Sequence, residues 1–202
     1  MLKDCTILGV DVETTGLDPG ADRIVELGIG RWAAGRLQEV TAQAVWPDIP
    51  IPDAATQVNG LSSATVAGCP RLAEVLTATN ASLQGGQAWM AHQADFDRAM
   101  LLFDGVRQRC DSEVLRRFVA LPWLDTRILA RALDDAPAEV RGYSLGELCA
   151  RLDVPTGQAH RAEDDVRAMF GVWQKLLPRL PDTLQGCLDL QRDYREKIRR
   201  KR

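Results

Sequence analysis

The chain lacks any closely spaced pair of cysteines. Cys5, Cys69, Cys110, Cys149 and Cys187 lie far apart, with no Cys-x-x-Cys, so neither a zinc site nor a disulfide framework is indicated. No apolar run approaches the length that crosses a bilayer. The N-terminus shows no signal-peptide pattern, because its short apolar run gives way to acids. A reduced, cytoplasmic setting is the expectation. Positive charge is not in excess either. The chain carries 25 Lys and Arg against 28 Asp and Glu, a net charge of −3, which argues against a strongly basic nucleic-acid binder. Internal repeats and low-complexity linkers are absent.

What is present is ordinary for a globular protein, with 46% hydrophobic and 26% charged residues over 202 positions. That length fits one domain, or one domain with a C-terminal extension. The expected division is a domain over residues 1–180 and a basic helix or tail over 181–202. Residues 189–202 hold seven Lys and Arg against three Asp and Glu, so the remainder is more acidic than the total suggests.

The most informative stretch is Thr6-Ile7-Leu8-Gly9-Val10-Asp11-Val12-Glu13-Thr14-Thr15-Gly16. It begins as an apolar, β-branched strand and ends in two acids. Asp11 and Glu13 are two apart, so a strand projects both from one face. Side by side they repel and raise each other's pKa. A divalent cation relieves that repulsion, and hard ions such as Mg²⁺ take oxygen ligands. The stretch reads as half of a metal site at the rim of a sheet; exposed acids at a strand end are the structural alternative.

Strands are predicted over 5–13, 23–33 and 37–46, antiparallel because short turns join them. Glu26 lies inside the second and reads as a structural acid. The proline-rich segment 47–52 leaves the sheet. Helical signals follow at 53–58 and 62–67, and Pro70 opens a longer helix to about residue 83. Gly85-Gly86 precedes a fourth strand at 87–91, followed by a helix over about 93–108 with Phe96, Met100, Phe103 and Val106 as its apolar stripe. Residues 109–122 show no clear pattern. Pro122 to Thr126 reads as a short strand and helix cap, continuing to about Leu133. Residues 141–143 are loop, and Ser144 with Glu147 forms a capping box for a helix to about Leu152. A last core helix covers about 162–177, before the terminal helix or tail at 183–202. Three antiparallel strands followed by alternating helix and strand make an α/β domain, a mixed sheet flanked by helices.

Two further segments carry acids. Asp95 and Asp97 sit at a strand-to-helix transition and flank the apolar stripe by similar angles, so periodicity does not choose between them. In His160-Arg161-Ala162-Glu163-Asp164-Asp165, the helical wheel turns Asp164 to solvent and Asp165 to the core boundary. His160, five residues before Asp165, reaches the same site only from a loop preceding the helix. There it could serve as a general base.

With these segments in order, the chain resembles the DEDDh family of 3′–5′ exonucleases, the proofreading-type, DnaQ-like branch of the ribonuclease H-like fold. Asp11 to Leu17 resembles the first motif, and Ala91 to Asp97 the second, in which the acid after Phe96 is the ligand. His160 to Asp165 resembles the third. Val58-Asn59-Gly60-Leu61, Leu124-Asp125-Thr126 and Tyr143 to Leu148 resemble landmarks between them. Gln93 and Asn59 depart from the residues common there.

The resemblance implies a five-stranded ribonuclease H-like sheet and a phosphodiester hydrolase. Asp11, Glu13, Asp97 and Asp165 would hold two Mg²⁺ or Mn²⁺ ions, with His160 as general base. Two such ions would move the protein's charge from −3 to about +1. Thr14, Thr15, Gly16, Leu17 and Phe96 would meet the terminal nucleotides, Leu17 as a wedge. The expected substrate is a single-stranded DNA or RNA 3′ end, DNA ahead of RNA, released as nucleoside 5′-monophosphates. A polymerase or other protein could dock through the C-terminal tail. The competing reading is a catalytically silent nucleic-acid-binding or assembly module of the same fold, but all five catalytic-type residues are present.

Overall fold

The computed structural model describes residues 1–137, 139–140 and 142–200. Arg141 of the expected 141–143 loop, and Lys201 and Arg202 of the expected tail, lie outside the described residues. Five strands form one sheet: β1 (Ile7–Thr14), β2 (Ile24–Ala33), β3 (Arg36–Ala44), β4 (Ala88–Ala91) and β5 (Trp123–Asp125). Their order is β3-β2-β1-β4-β5. β1–β2 and β2–β3 pair antiparallel, while β1–β4 and β4–β5 pair parallel. This is the mixed α/β sheet that the strand pattern predicts.

Eight helices flank the sheet among the described residues: α1 (Asp53–Asn59), α2 (Leu72–Thr79), α3 (Ala94–Arg107), α4 (Ser112–Ala120), α5 (Thr126–Leu133), α6 (Leu145–Leu152), α7 (Ala162–Leu176) and α8 (Leu184–Arg200). None is long and apolar enough to cross a membrane. Alternation along β1 explains the layers. Leu8, Val10 and Val12 point to α2, α3 and α4, whereas Ile7 points to the face covered by α5, α6 and α7. Gly9, Asp11 and Glu13 continue on that second face.

Helix α7 lies across β1 and β2 where the strands carry glycine. Its Val166, Met169, Phe170, Trp173 and Leu176 are buried, and the Phe170 ring stacks on Trp32 with centroids 5.9 Å apart. A Cβ added at Gly9 or Gly30 would overlap the Phe170 ring or Val166. At Gly28 it would fall 2.5 Å from the Ala162 carbonyl oxygen, which is backbone and has little room to yield. The first turn of α7 therefore sits almost on β2.

The helix boundaries show where tertiary structure overrides local pattern. Residues 63–68 form turns rather than a helix, and the helix expected from Pro70 to 83 is α2 followed by turns. The unpatterned 109–122 segment contains α4, capped by the Asp111 side chain, which accepts from Glu113 N at 2.7 Å. On α3 the expected stripe is displaced. Phe103 and Val106 are exposed, while Asp97 and Asp104 are buried. Asp104 accepts from Ile24 N at 3.0 Å and from Arg107 at 3.1 Å, so burial of its charge is compensated.

The described part of the C-terminal segment packs on the body. α8 covers β5 and α5, and its buried Gln191 accepts from Asp125 N at 2.8 Å and donates to Trp123 O at 3.1 Å. One side-chain amide thus occupies both bonding positions that a neighbouring strand would fill.

Replacing Gly28 with alanine forces Ala162 away from β2. Overpacking of this kind costs about 1–3 kcal/mol, and urea unfolding should show that loss against wild type.

Candidate active site

β1 runs past the end of β4. The parallel register pairs Ile7 with Ala88 and Gly9 with Met90, and β4 stops at Ala91. The backbone of Asp11 to Thr14 therefore has no strand on its β4 side, and a crevice opens at the carboxyl ends of the two strands. Asp97, in the first turn of α3, turns into this gap and accepts from Val12 N at 3.2 Å. Asp95 points elsewhere and pairs with Arg195 at 3.1 Å. The helical wheel left these two acids equivalent; the missing strand partner at Val12 separates them.

The third acid arrives with α7. Buried Glu26 on β2 accepts from Arg161 at 2.8 and 3.3 Å and from Ala162 N at 2.9 Å. This clamp fixes the start of α7. In its first turn, Asp165 accepts from His160 N at 3.0 Å. Asp164 accepts from Gln158 N at 2.8 Å, so it pins the preceding loop rather than facing solvent. His160 is exposed in that loop, with a left-handed φ of 60°, and reaches the cleft from before the helix.

A cavity of about 750 Å³ gathers Asp11, Glu13, Asp97, Asp165 and His160. Ligand atoms of Glu13, His160 and Asp165 lie within 4.8 Å of one another. Asp11 and Asp97 fall outside that trio but line the same cavity. Burial holds the Asp11 carboxyl well above its ordinary range, and the charges of Asp97, Asp165, Glu13 and Glu26 add to the shift. Glu13 is pushed up to about 7 by burial and then by Asp165 and Glu26, with Arg161 opposing. Burial also raises Asp97 and Asp165, against hydrogen bonds from Val12 N and His160 N respectively. All these ligands but one are oxygen donors, and their charge is crowded. The set suits a hard divalent cation.

The remaining expected residues, Thr14, Thr15, Gly16, Leu17 and Phe96, also line the cavity. The two threonine hydroxyls are engaged within the chain. Thr14 donates to Gly16 O at 2.6 Å, and buried Thr15 donates to Asp22 at 2.9 Å while accepting from Arg23 N at 3.0 Å. The loop after β1 is further held by Arg107, which donates to Pro19 O and Gly20 O at 3.1 and 2.8 Å. Leu17 stands on this braced loop, 84% exposed.

Sequence reasoning did not assign several wall residues to the site. Ser144, Leu145 and Gly146 at the start of α6 line the cavity, as does His92. His92 Nε2 donates to Tyr143 O at 3.0 Å, since a carbonyl only accepts, and Nδ1 is left to accept from the Thr126 hydroxyl at 2.9 Å. Burial pushes its pKa down to about 4, with the Arg127 charge adding and the Tyr143 bond opposing. It is a neutral tie between walls. Asn59, with its amide bonded to Thr14 O at 3.3 Å and Leu61 N at 2.9 Å, braces the opposite wall. The motif landmarks around Asn59 and Tyr143 were the available signals.

The family model described as RNase_T, Exonuclease, matches residues 8–172. The DNA polymerase III subunit epsilon-like protein of Rhodobacter capsulatus is 34% identical over 184 residues, covering 89% of this chain. This chain spans only 25% of that protein's length. The DNA polymerase III subunit epsilon of Treponema pallidum is 26% identical over 167 residues, covering 83% of this chain and 74% of its own. Among solved structures, exonuclease X in complex with 5′ overhanging duplex DNA has a TM-score of 0.67 at 24% identity. That likeness covers 92% of this chain and 99% of the other, and it shows a shared fold.

The crowded acids make stability depend on pH. Glu13 keeps its proton to about 7 in the fold against an ordinary 4.5, so in this window the folded chain binds more protons than the unfolded one. Stability without metal therefore falls as pH rises. The melting temperature in EDTA should drop between about pH 5 and pH 8, and Mg²⁺ should restore it most at the higher pH. Asp11→Asn, which removes one repelling charge, should raise the EDTA value at pH 8 and reduce the Mg²⁺ effect.

Proposed function

Because the chain belongs to the exonuclease family, on the DnaQ-like DEDDh branch of the ribonuclease H-like superfamily, we infer that it removes nucleotides from the 3′ ends of nucleic-acid strands. One observation carries this reading: four carboxylates and a histidine, from β1, α3, α7 and the loop before α7, line a single cleft. Asp11, Glu13, Asp97 and Asp165 would hold two Mg²⁺ or Mn²⁺ ions. When bound, these supply Lewis-acid stabilisation of charge on the phosphoryl oxygens.

The protein's own groups do the rest. The exposed His160 imidazole takes the proton of the attacking water, whose oxygen bonds to phosphorus as the 3′ oxygen of the penultimate nucleotide departs. Asp165 orients His160 through its backbone amide. The product is a nucleoside 5′-monophosphate. Leu17 wedges between the last two bases from its braced loop, and Phe96 packs against the terminal sugar or base. Lifting the last nucleotide from its stack is easiest in a single strand, which makes single-stranded 3′ ends the favoured substrate. DNA ranks ahead of RNA because the relatives are named as DNA polymerase III epsilon proteins. A cytoplasmic setting belongs to the same reading and is supported by five free cysteines.

The test uses 5′-labelled single-stranded DNA and RNA of matched sequence. Wild type with Mg²⁺ should shorten the DNA from its 3′ end, and EDTA or Asp11→Ala should abolish this. His160→Ala should lower turnover roughly 10²- to 10⁴-fold while calorimetry still detects metal binding. No shortening with either Mg²⁺ or Mn²⁺ would overturn the reading in favour of a silent binding module.

A further inference from the structure

Among the described residues, no lysine or arginine lines the catalytic cleft. A polynucleotide with its 3′ end there must carry its remaining phosphates out of an acid-lined cavity. Directly adjoining the cleft is a second cavity of about 490 Å³, and the two share Gln93 and Phe96. Arg127 of α5 and Arg195 and Arg199 of α8 line it, with Asp95 and Asp125.

The basic residues of α8 differ in what meets them. Arg192, which shares a smaller hollow with Arg195 and Arg199, is matched with Asp189 and Asp193, while Lys197 is matched with Asp135 and Arg200 with Glu196. On the groove side, Arg195 is shared between Asp95 at 3.1 Å and Asp125 at 3.7 Å. One turn further, exposed Arg199 has no acid partner among the described residues. Arg127 has none either. It donates to the Gln93 side chain, at the junction of groove and cleft. Its charge is also felt by His92 in the cleft wall. The cavity's Asp95 and Asp125 are both engaged by Arg195, so two guanidinium groups line it with no acid paired to them among the described residues, beside a site read as cutting a polyanion.

We propose that the Arg127–Arg195–Arg199 groove binds backbone phosphates of the same strand, upstream of the nucleotides held in the cleft. The proposal rests on the exonuclease reading of the cleft and extends it to a phosphate track that includes α8. Arginine suits this role because its planar fork matches phosphate oxygens. The track is indifferent to base sequence, since phosphates carry none.

The experiment is binding without turnover: fluorescence anisotropy of a 5′-labelled 12-nucleotide single-stranded DNA in Ca²⁺, across a salt series, using the full chain. The groove variant is Arg127→Gln with Arg199→Gln. The control is Lys197→Gln with Arg200→Gln, the same charge change at positions of α8 that do not line the groove. The groove variant should raise Kd roughly tenfold at about 0.1 M salt and flatten the plot of log Kd against log salt by about 1.4, two phosphate contacts at roughly 0.7 each. The control should stay near wild type. A labelled dinucleotide, held by the cleft alone, should bind both variants equally, which shows that they are folded. An unchanged salt slope in the groove variant, or equal losses in both variants, would overturn the track; the first leaves this face of α8 to a protein partner. A chain that shortens 3′ ends with arginine-independent binding defeats only the track. A chain that binds through these arginines and cuts nothing defeats only the exonuclease reading.

Discussion

Helix α7 rests on a face of β1 and β2 from which side chains are missing, and this close approach governs where the chemistry can be. Gly9, Gly28 and Gly30 leave room for Phe170, Val166 and the Ala162 carbonyl. Burying a large apolar side chain contributes roughly 1.5–3 kcal/mol. Five such residues on α7 hold the helix against the sheet and bring its first turn to the other acids. The Glu26 clamp then sets the rotation of that turn, and with it the direction of Asp165. A chain with the same acids but side chains at these glycines would hold α7 farther off and disperse the cluster.

The acids fall into two kinds, distinguished by what meets them. Glu26 and Asp104 are buried but are answered by arginine and backbone amides. Asp11, Glu13, Asp97 and Asp165 share one cavity that no lysine or arginine lines among the described residues. Burial raises their proton affinities, and the charges of neighbouring acids add to it. Unpaired acids in such a place are tolerated because packing elsewhere is strong.

Much of this was legible in the sequence. Alternating apolar residues ending in acids located β1, and the face shared by Asp11 and Glu13 followed from a period of two. The wheel position of Asp165 followed from the apolar stripe of α7. The stripe of α3 misled because Asp97 and Asp104 occupy buried positions that periodicity reserves for apolar residues, while Phe103 and Val106 are left in solvent. Periodicity weighs hydrophobicity and is blind to hydrogen bonds from Val12 and Ile24, which are far away in sequence. Asp164 was misread for a similar reason, since its partner is a loop amide folded back on the helix. The role of His92 depends on Thr126 and Tyr143, distant residues that only the fold brings to its ring.

The amide of Gln191 bears on how this chain can be handled. By occupying the bonding positions along Trp123 and Asp125, it stands in for a sixth strand and caps one edge of the sheet. Deleting the C-terminal helix to remove its charge would also uncap β5 and bare the apolar surface beneath. An uncapped edge is a template for self-association. Truncated chains would then aggregate for reasons unconnected with the arginines, so the charge of α8 is better probed by side-chain substitutions than by shortening the chain.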